Sequence, residues 1–314
     1  MRAAVITKFG NSDVFEVQDI KTPVPRKDEV LIEVYASSIN PVDYKMRNGN
    51  WKFIFGSNFP IVLGFDVAGK IVECGSSISK FKVGDDVWGR ITNKYGGAYA
   101  EYALAKEIVI SNKPTNLSFT DAASIPLAAG TALQALRDYG KIKTGSHVLI
   151  NGATGGVGQF AIQIAKIFGA EITAVSSSIH KEFINQLEPD HWIDYRKESF
   201  TNHCNKYDII FDVAGKETFL STHKSLKKNG IYITSLPRPK VLAHKLFSTF
   251  TSGKKVKAFF MKPSSKDLLF LKEKAESGEL TPHVDSIFGL DEIARAHEYA
   301  ETSHLKGKVV IQVK

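Results

Sequence analysis

The chain has 314 residues, 43% hydrophobic and 24% charged, which is enough apolar material for two domains, each with its own core. The net charge of +8 is moderate, and Cys74 and Cys204 are the only cysteines, which excludes a disulfide framework and a thiolate-rich zinc site. No apolar run reaches the roughly 20 residues that cross a bilayer, so we expect a soluble protein of a reducing compartment, the cytoplasm.

The first third of the chain predicts short strands separated by turns. Val, Ile and Tyr recur there between segments that contain Gly or Pro, which is typical of a small β domain. The predicted strands are Ala3–Thr7, Val14–Ile20, Glu29–Ser37, Val67–Cys74, Asp86–Ile91 and Tyr99–Ala103. We therefore expect a compact, barrel-like β domain.

From residue 118 onward, helices alternate with buried strands. The predicted helices are Ala122–Tyr139, Val157–Phe168, Lys181–Leu187 and Thr218–Leu226, and the strands are Val148–Ile150, Ile172–Val175, Trp192–Ile193, Ile209–Val213 and Ile231–Ser235. This alternation indicates a parallel, doubly wound sheet. Two more helices, Lys266–Ser277 and Asp291–Thr302, precede a last strand, Lys308–Val313. That strand alternates like those near the amino terminus, so we expect it to return to the first domain.

A glycine-rich turn joins the first buried strand of the second region to its helix. Its residues are Asn151, Gly152, Ala153, Thr154, Gly155, Gly156, Val157 and Gly158. Glycines allow backbone amides to approach a pyrophosphate, and the following helix adds partial positive charge. Because a strand precedes the turn and an amphipathic helix follows it, residues 152–158 are predicted to bind a dinucleotide. The alternative is a tight turn that binds nothing.

The end of the next strand favours NADPH over NADH. An NAD site places Asp or Glu about 20 residues beyond the glycine turn, where it bonds the ribose 2′-hydroxyl. Here the strand ends in Ser176, Ser177 and Ser178, and no acid follows until Glu182. Hydroxyl groups followed by Lys181 suit a 2′-phosphate, although a solvated helix lysine would give the same pattern.

Motifs along essentially the whole chain resemble those of one protein family. They are Ile39–Asp43, Phe59–Gly69, Val83–Gly89, Gly96–Tyr102, Ala153–Gly158, Ile193–Tyr195 and Gly307–Val310. In them the chain resembles the medium-chain dehydrogenase/reductase superfamily, and within it the zinc-independent quinone oxidoreductases of the chloroplast-envelope and mitochondrial reticulon-interacting branch. The resemblance implies an α/β fold, with a GroES-like catalytic domain over residues 1–117 and 266–314 and a Rossmann domain over 118–265.

Departures from the zinc-dependent relatives predict a site without metal. Those enzymes carry a zinc-ligand Cys where this chain has Asn40, and Gly-His-Glu where it has residues 64–66, Gly-Phe-Asp. Their four-cysteine structural zinc lobe has no counterpart between Gly89 and Gly96. Zinc needs three or four N, S or O ligands, and the substitutions remove at least two.

The resemblance implies hydride transfer from NADPH to a small molecule, a quinone or an α,β-unsaturated carbonyl. Without a metal, hydrogen-bond donors must stabilise the developing oxyanion. Asn40, at the family's active-site asparagine, is the first candidate, with Tyr44 as a second; the alternative for Asn40 is a helix-start residue. Asp43 is expected to orient or cap rather than to donate a proton. Thr131 lies where relatives contact the nicotinamide carboxamide, or else is an ordinary packed helix residue.

Further cofactor contacts are implied by family positions outside the glycine turn. They are Ser177, Lys181 and Tyr195 at the 2′-phosphate, Phe260 beside the nicotinamide, and His304 and Lys306 in a carboxyl-terminal loop. Many NADPH-using relatives have Lys where this chain has His180. Because one position turns a helix side chain by about 100°, the resemblance leaves open whether Lys181 reaches the phosphate.

The segment from Thr218 to Lys266 contains eleven Lys or Arg residues and no Asp or Glu. Four interpretations of this stretch are open: it attracts an anionic cofactor, it docks weakly on an anionic membrane, it binds RNA, or it is a solvated surface without a partner. Of these we do not expect a nucleic-acid partner. Dimerisation is common in such folds, and we expect a homodimer. The alternative functions are an enoyl-thioester or alkenal double-bond reductase, and a non-catalytic NADPH-binding sensor or RNA-binding protein.

Overall fold

The computed structural model describes residues 1–235, 253–302 and 305–314. The chain divides into two compact units, one of Met1–Ala128 with Pro263–Lys314 and one of Ala129–Lys262. In the described ranges, every helix is too short or too polar to cross a membrane. The predicted domain limits stay a prediction.

The first unit is built on two mainly antiparallel sheets. The smaller has the order β2-β1-β4 and the larger β15-β16-β3-β5-β6-β8, with β7 also paired to β3. The strands are β1 Arg2–Ile6, β2 Phe15–Asp19, β3 Glu29–Ser38, β4 Ile61–Val62, β5 Asp66–Cys74, β6 Asp86–Arg90, β7 Tyr102–Lys106, β8 Ile110–Asn112, β15 Val284–Gly289 and β16 Lys308–Gln312. The helices are α1 Pro41–Arg47, α2 Lys52–Phe55, α3 Phe119–Ala123, α8 Ser265–Glu276 and α9 Ile293–Thr302.

The last strand returns to the first unit, as its alternation predicted. β16 pairs antiparallel with β3, and Val310 lies opposite Ser38. Helix α1 begins directly after β3, with Pro41 at its first position, where a missing N–H costs no hydrogen bond. The start of β16, the end of β3 and the start of α1 are therefore neighbours.

Four strands of this unit differ from the predictions. The strand predicted at Tyr99–Ala103 is β7, Tyr102–Lys106, because Tyr99 and Ala100 bond instead to β1 through single backbone contacts. β4, β8 and β15 were not predicted. β4 has two residues and β8 has three. β15 is the edge strand that pairs with β16, and it has no continuous apolar run, so none of the three leaves a clear local pattern.

The second unit contains the predicted parallel, doubly wound sheet. Its order is β11-β10-β9-β12-β13-β14, which is the 3-2-1-4-5-6 order of dinucleotide-binding folds. The strands are β9 His147–Asn151, β10 Glu171–Ser176, β11 His191–Asp194, β12 Tyr207–Asp212, β13 Leu226–Thr234 and β14 Lys255–Ala258. The helices are α5 Gly156–Ile167, α6 Lys181–Leu187 and α7 Phe219–Thr222, and α4, Pro126–Leu133, begins three residues before the unit does.

Two predicted helices are shorter or broken in the structure. The one predicted over Ala122–Tyr139 consists of α3, α4 and a π-helical segment, Gln134–Tyr139. Pro126 causes the first break, because the residue before a proline is disfavoured in the helical conformation. The helix predicted over Thr218–Leu226 ends at Thr222, and Leu226 already begins β13.

Candidate functional site

The glycine-rich turn lies at the carboxyl edge of the parallel sheet, between β9 and α5. Gly152 has a φ of 88°, a conformation that glycine adopts without the strain of other residues. Gly155 is the N-cap of α5 and supplies no side-chain cap, so the first N–H groups of the helix can bind an anion. A Cβ at Gly155 would meet only the Gly152 carbonyl oxygen, at 3.6 Å. This open approach to a helix amino terminus fits a pyrophosphate.

A buried carboxylate beside the turn ties β9 to its neighbour β12. Asp212 Oδ1 accepts hydrogen bonds from Asn151 Nδ2 at 2.9 Å and from the Gly215 N–H at 2.9 Å, and Oδ2 accepts one from the Tyr232 hydroxyl at 2.8 Å. Burial raises the pKa of Asp212, and these hydrogen bonds act against that rise. The strand order reverses between β9 and β12, which is where such sheets bind ligands. Our sequence reasoning missed Asp212, although an acid ending an apolar strand was a usable signal.

The structure brings Ser177 and Tyr195 together at neighbouring strand ends. Ser177 follows β10 and is buried, with its Oγ accepting from the Ile179 N–H at 3.4 Å. The Tyr195 N–H donates to the carbonyl of Ser176 at 3.2 Å, and the Tyr195 side chain is half-exposed. Two of the three residues predicted for a 2′-phosphate therefore lie at one edge of the sheet.

The structure turns Lys181 outward and His180 inward. His180 is buried, whereas Lys181 is exposed, with its Nζ 6.0 Å from the ring centroid of Trp192 on β11. Lys216, which the sequence reasoning missed, places its Nζ 5.8 Å from the ring centroid of Tyr195. The sequence does contain a signal for Lys216: it is a lysine directly after Gly215, in the turn that follows β12. Two exposed ammonium groups therefore flank these strand ends.

The remaining predicted cofactor residues are scattered over both units. Phe260 follows β14 and is 63% exposed, while the preceding Phe259 is buried and stacks on Tyr139 with ring centroids 4.4 Å apart. Thr131 is buried in α4. The Lys306 N–H donates to Asp285 Oδ1 at 3.0 Å. His304 lies outside the described residues.

In the first unit, Asn40 lies in a buried polar network. Its Nδ2 donates to Asp66 Oδ2 at 2.8 Å and to the Ser38 carbonyl at 3.3 Å. Its Oδ1 accepts from Lys308 Nζ at 2.6 Å. Asn40 is 2% exposed, and both amide hydrogens already have protein acceptors. This arrangement suits a residue that fixes the start of α1 better than one that donates to a substrate.

Asp43 caps the first turn of α1, in line with the expectation from its spacing. Its Oδ2 accepts from the Asn40 backbone N–H at 2.7 Å, which forms a capping box with the Asn40 side chain. Burial raises the pKa of Asp43 to about 7; the Asn40 hydrogen bond and the Lys308 charge lower it, and the Asp66 charge adds to the rise. The hydroxyl of the buried Tyr99 faces the same carboxyl group.

Tyr44, the next residue of α1, retains a hydroxyl that can donate. Burial, with smaller effects of the Glu301 and Asp43 charges, raises the pKa of Tyr44 to about 12. The phenol therefore stays protonated at neutral pH. Its side chain is half-buried, and no hydrogen bond to its hydroxyl forms within the described parts of the chain.

Two protein-family models match different parts of the chain. Residues 26–115 match the family model of the alcohol dehydrogenase GroES-like domain, and residues 187–311 match that of the zinc-binding dehydrogenases. The chain is 35% identical to the chloroplastic NADPH-dependent alkenal/one oxidoreductase of Arabidopsis thaliana, covering 99% of this chain and 79% of the relative. It is 33% identical to the mitochondrial NAD(P)H oxidoreductase RTN4IP1 of Bos taurus, covering 100% and 89%.

A solved structure extends the likeness to three dimensions. The quinone oxidoreductase of Coxiella burnetii superposes with a TM-score of 0.93 at 32% identity, and the match covers 100% of this chain and 99% of that one.

The residues of the first unit do not fit the zinc ion that one family description implies. Asp66 already accepts from Ser38 Oγ at 2.7 Å, from Asn40, and from the Leu127 N–H at 2.8 Å. The Lys308 ammonium lies 4.0 Å from Asp66 Oδ2 and would repel a metal cation there. Across the described ranges, no three His, Cys, Asp or Glu side chains are grouped to hold a metal ion.

Proposed function

This chain belongs to the quinone oxidoreductase family of the medium-chain dehydrogenase/reductase superfamily, and we propose that it reduces a quinone or an α,β-unsaturated carbonyl with NADPH. The observation that carries the proposal is the turn from Gly152 to Gly158, open at Gly155 and set at the reversal of the strand order. When bound, NADPH supplies a hydride from its nicotinamide ring.

The second unit binds and orients the cofactor. The turn and the first N–H groups of α5 hold the pyrophosphate. Ser177, Lys181, Tyr195 and Lys216 receive the 2′-phosphate, with two positive charges beside the end of β10. The Asp194 carboxyl group at this edge already accepts hydrogen bonds from Ser178 and from the Arg196 N–H. This charge balance is the support for NADPH over NADH. Thr131 and Phe260 are assigned to the nicotinamide end by family position alone.

The first unit supplies a hydrogen-bond donor to the acceptor. As hydride reaches an enone β-carbon or a quinone, negative charge develops on the acceptor oxygen, and a positioned donor stabilises it. We assign that role to the Tyr44 hydroxyl, because Asn40 already uses both amide hydrogens. A proton from water then completes the reduction, at the α-carbon of an enone or at oxygen in a quinone.

A double-bond reductase is the second candidate. The Arabidopsis relative is named an alkenal/one oxidoreductase, whereas the Coxiella structure is named a quinone oxidoreductase. Both activities use the same hydride step and differ in the shape of the acceptor.

Parallel assays test both activities. NADPH oxidation is followed with 9,10-phenanthrenequinone, 1,4-benzoquinone and an alkenal, after NADP⁺ and NAD⁺ affinities have been measured by calorimetry. Turnover with a quinone or the alkenal supports the corresponding activity. Tight NADPH binding without turnover on any acceptor favours the non-catalytic sensor, and no binding of either coenzyme refutes the proposal.

Three further expectations from the sequence remain proposals: a homodimer, a cytoplasmic location and weak contact with anionic membranes. The membrane contact rests on the basic stretch between Thr218 and Lys266, part of which, residues 236–252, lies outside the described residues. Co-sedimentation with anionic liposomes at low salt tests it, and no sedimentation there refutes it.

A further inference from the structure

Lys308 is a buried cation at the first position of β16. The residue is 3% exposed, and its Nζ donates to the Ile39 carbonyl at 2.8 Å and to Asn40 Oδ1 at 2.6 Å. It is 4.0 Å from Asp66 Oδ2, the oxygen that also accepts from Asn40 Nδ2. The ammonium thus holds the two residues that immediately precede α1.

A buried ammonium needs a structural reason, because removing a charge from water is costly unless it is paired and hydrogen-bonded. The carboxylate of Asp66 supplies the opposite charge, but its own hydrogen bonds come from Ser38, Asn40 and the Leu127 N–H. The shorter contacts of Lys308 go to neutral oxygens, those of Ile39 and Asn40. Charge balance alone would not require these two contacts.

The contact to Asn40 decides which way the amide points. With Lys308 donating to Oδ1, Nδ2 must face Asp66; with the amide rotated by half a turn, two donors would oppose each other at Lys308. The Asn40 backbone N–H is in turn bonded to Asp43, which stands one residue before Tyr44. Lys308 is therefore connected to Tyr44 through Asn40 and the first turn of α1.

We propose that Lys308 is a positioning residue, which holds the start of α1 through its hydrogen bonds to Asn40 and Ile39 and so fixes Tyr44 for the acceptor. The inference rests on the proposed function for the role of Tyr44. The hydrogen bonds, rather than the positive charge, perform the positioning.

Two substitutions separate the hydrogen bond from the charge. Lys308→Met removes both, whereas Lys308→Gln removes the charge and keeps an N–H donor. Both variants leave Asp66 without its cation, so we expect Tm to fall in both. We expect kcat to fall by about tenfold to a hundredfold in Lys308→Met, and to recover most of the way in Lys308→Gln. A Gln variant as slow as the Met variant, or a Met variant with wild-type kcat, overturns the proposal.

A third variant and a surface control guard against loss of folding. Asn40→Ala removes the side-chain acceptor of the Lys308 hydrogen bond and leaves Asp66 and Lys308 paired; we expect kcat to fall as in the Met variant, and an unchanged kcat overturns the proposal. Lys314→Met, near the end of the same segment, removes an ion pair with Glu33 at the surface and the contact of the ammonium with the Tyr35 ring, whose centroid is 5.2 Å from Nζ. It should keep the wild-type kcat and Tm.

A structural readout distinguishes this proposal from the proposed function. If the wild-type chain reduces no acceptor, the proposed function fails whatever the variants do. Crystal structures of the two Lys308 variants then still decide the inference. We expect a displaced Tyr44 ring in Lys308→Met and a native position in Lys308→Gln, and a native Tyr44 in Lys308→Met overturns the positioning role.

Discussion

A Cβ atom on Gly158 would lie 2.1 Å from the carbonyl oxygen of Gly152. Non-bonded atoms cannot approach so closely, so the first turn of α5 packs directly on the backbone of the turn that follows β9. This contact places the amino terminus of α5 at the edge of the sheet. The two glycines therefore set the position of the anion-binding N–H groups.

Alanine at two neighbouring glycines should have opposite consequences. Gly158→Ala forces α5 away from Gly152. We expect the free energy of unfolding to fall by about 1–3 kcal/mol, as in overpacked cores. Gly155→Ala should fold normally, because its backbone is extended and its Cβ has room, yet its methyl group would stand where the pyrophosphate approaches. Urea unfolding and calorimetry with NADP⁺ measure both effects. Tight NADP⁺ binding by Gly155→Ala would contradict the proposed phosphate site.

Lysines 181 and 216 should determine the preference for the phosphorylated coenzyme. Each ammonium can form a charge-assisted hydrogen bond, so we expect Lys181→Ala and Lys216→Ala to weaken NADP⁺ binding by about tenfold each. NAD⁺ lacks the 2′-phosphate, and its affinity should not change. Lys166→Ala, which removes an exposed partner of Glu188 in the same unit, is the matched control. Equal losses for NADP⁺ and NAD⁺ would place both lysines away from the 2′-phosphate.

The parallel sheet and the glycine turn could be predicted because their signals are contiguous in the chain. Strand β9, the turn and α5 follow one another within residues 147–167, so apolar periodicity and glycine spacing are read in one window. The residues of the network around Asn40 do not lie within one short stretch of the sequence. Lys308 and Asn40 are 268 positions apart, and only the pairing of β16 with β3 brings them together. Sequence reasoning therefore identified Asn40 and missed the partner that occupies its oxygen.

The orientation of Lys181 illustrates a second limit. His180 and Lys181 differ by one position, and which of them faces solvent depends on how α6 begins. In the structure, a 3₁₀ turn over Ser178–His180 precedes α6 and buries the histidine. A helix phase set by such a turn cannot be derived from residue types alone.

Asp43 should make stability depend on pH in a direction that a substitution can reveal. Its pKa is raised to about 7 in the folded protein, against about 3.9 when unfolded. Between these values the unfolded chain loses the proton first, so the folded state loses stability as pH rises. Asp43→Asn cannot ionise and keeps an oxygen for the Asn40 N–H. We expect its free energy of unfolding, relative to wild type, to increase from about pH 4 to about pH 7 and then to level off.

Urea unfolding of both proteins across this range measures the difference. Asp13→Asn, at an exposed acid of the same unit, is the control for the loss of one carboxyl group. A stability difference between Asp43→Asn and wild type that stays constant from acid to neutral pH would mean that Asp43 is already ionised in the folded protein.

Tyr44→Phe should slow the reaction without weakening the cofactor. The substitution removes one hydroxyl from a half-buried side chain and leaves the ring in place, so Tm should change little. Removing one oxyanion donor typically lowers kcat by about a hundredfold or more, and we expect a loss of that order with an enone, while calorimetry gives the wild-type affinity for NADP⁺. Tyr35→Phe, at a ring tilted by 31° against that of Phe119 with centroids 4.3 Å apart, controls for the loss of a hydroxyl elsewhere in the unit. If Tyr44→Phe and Tyr35→Phe both turn over at the wild-type rate, the donor to the acceptor oxygen is another group.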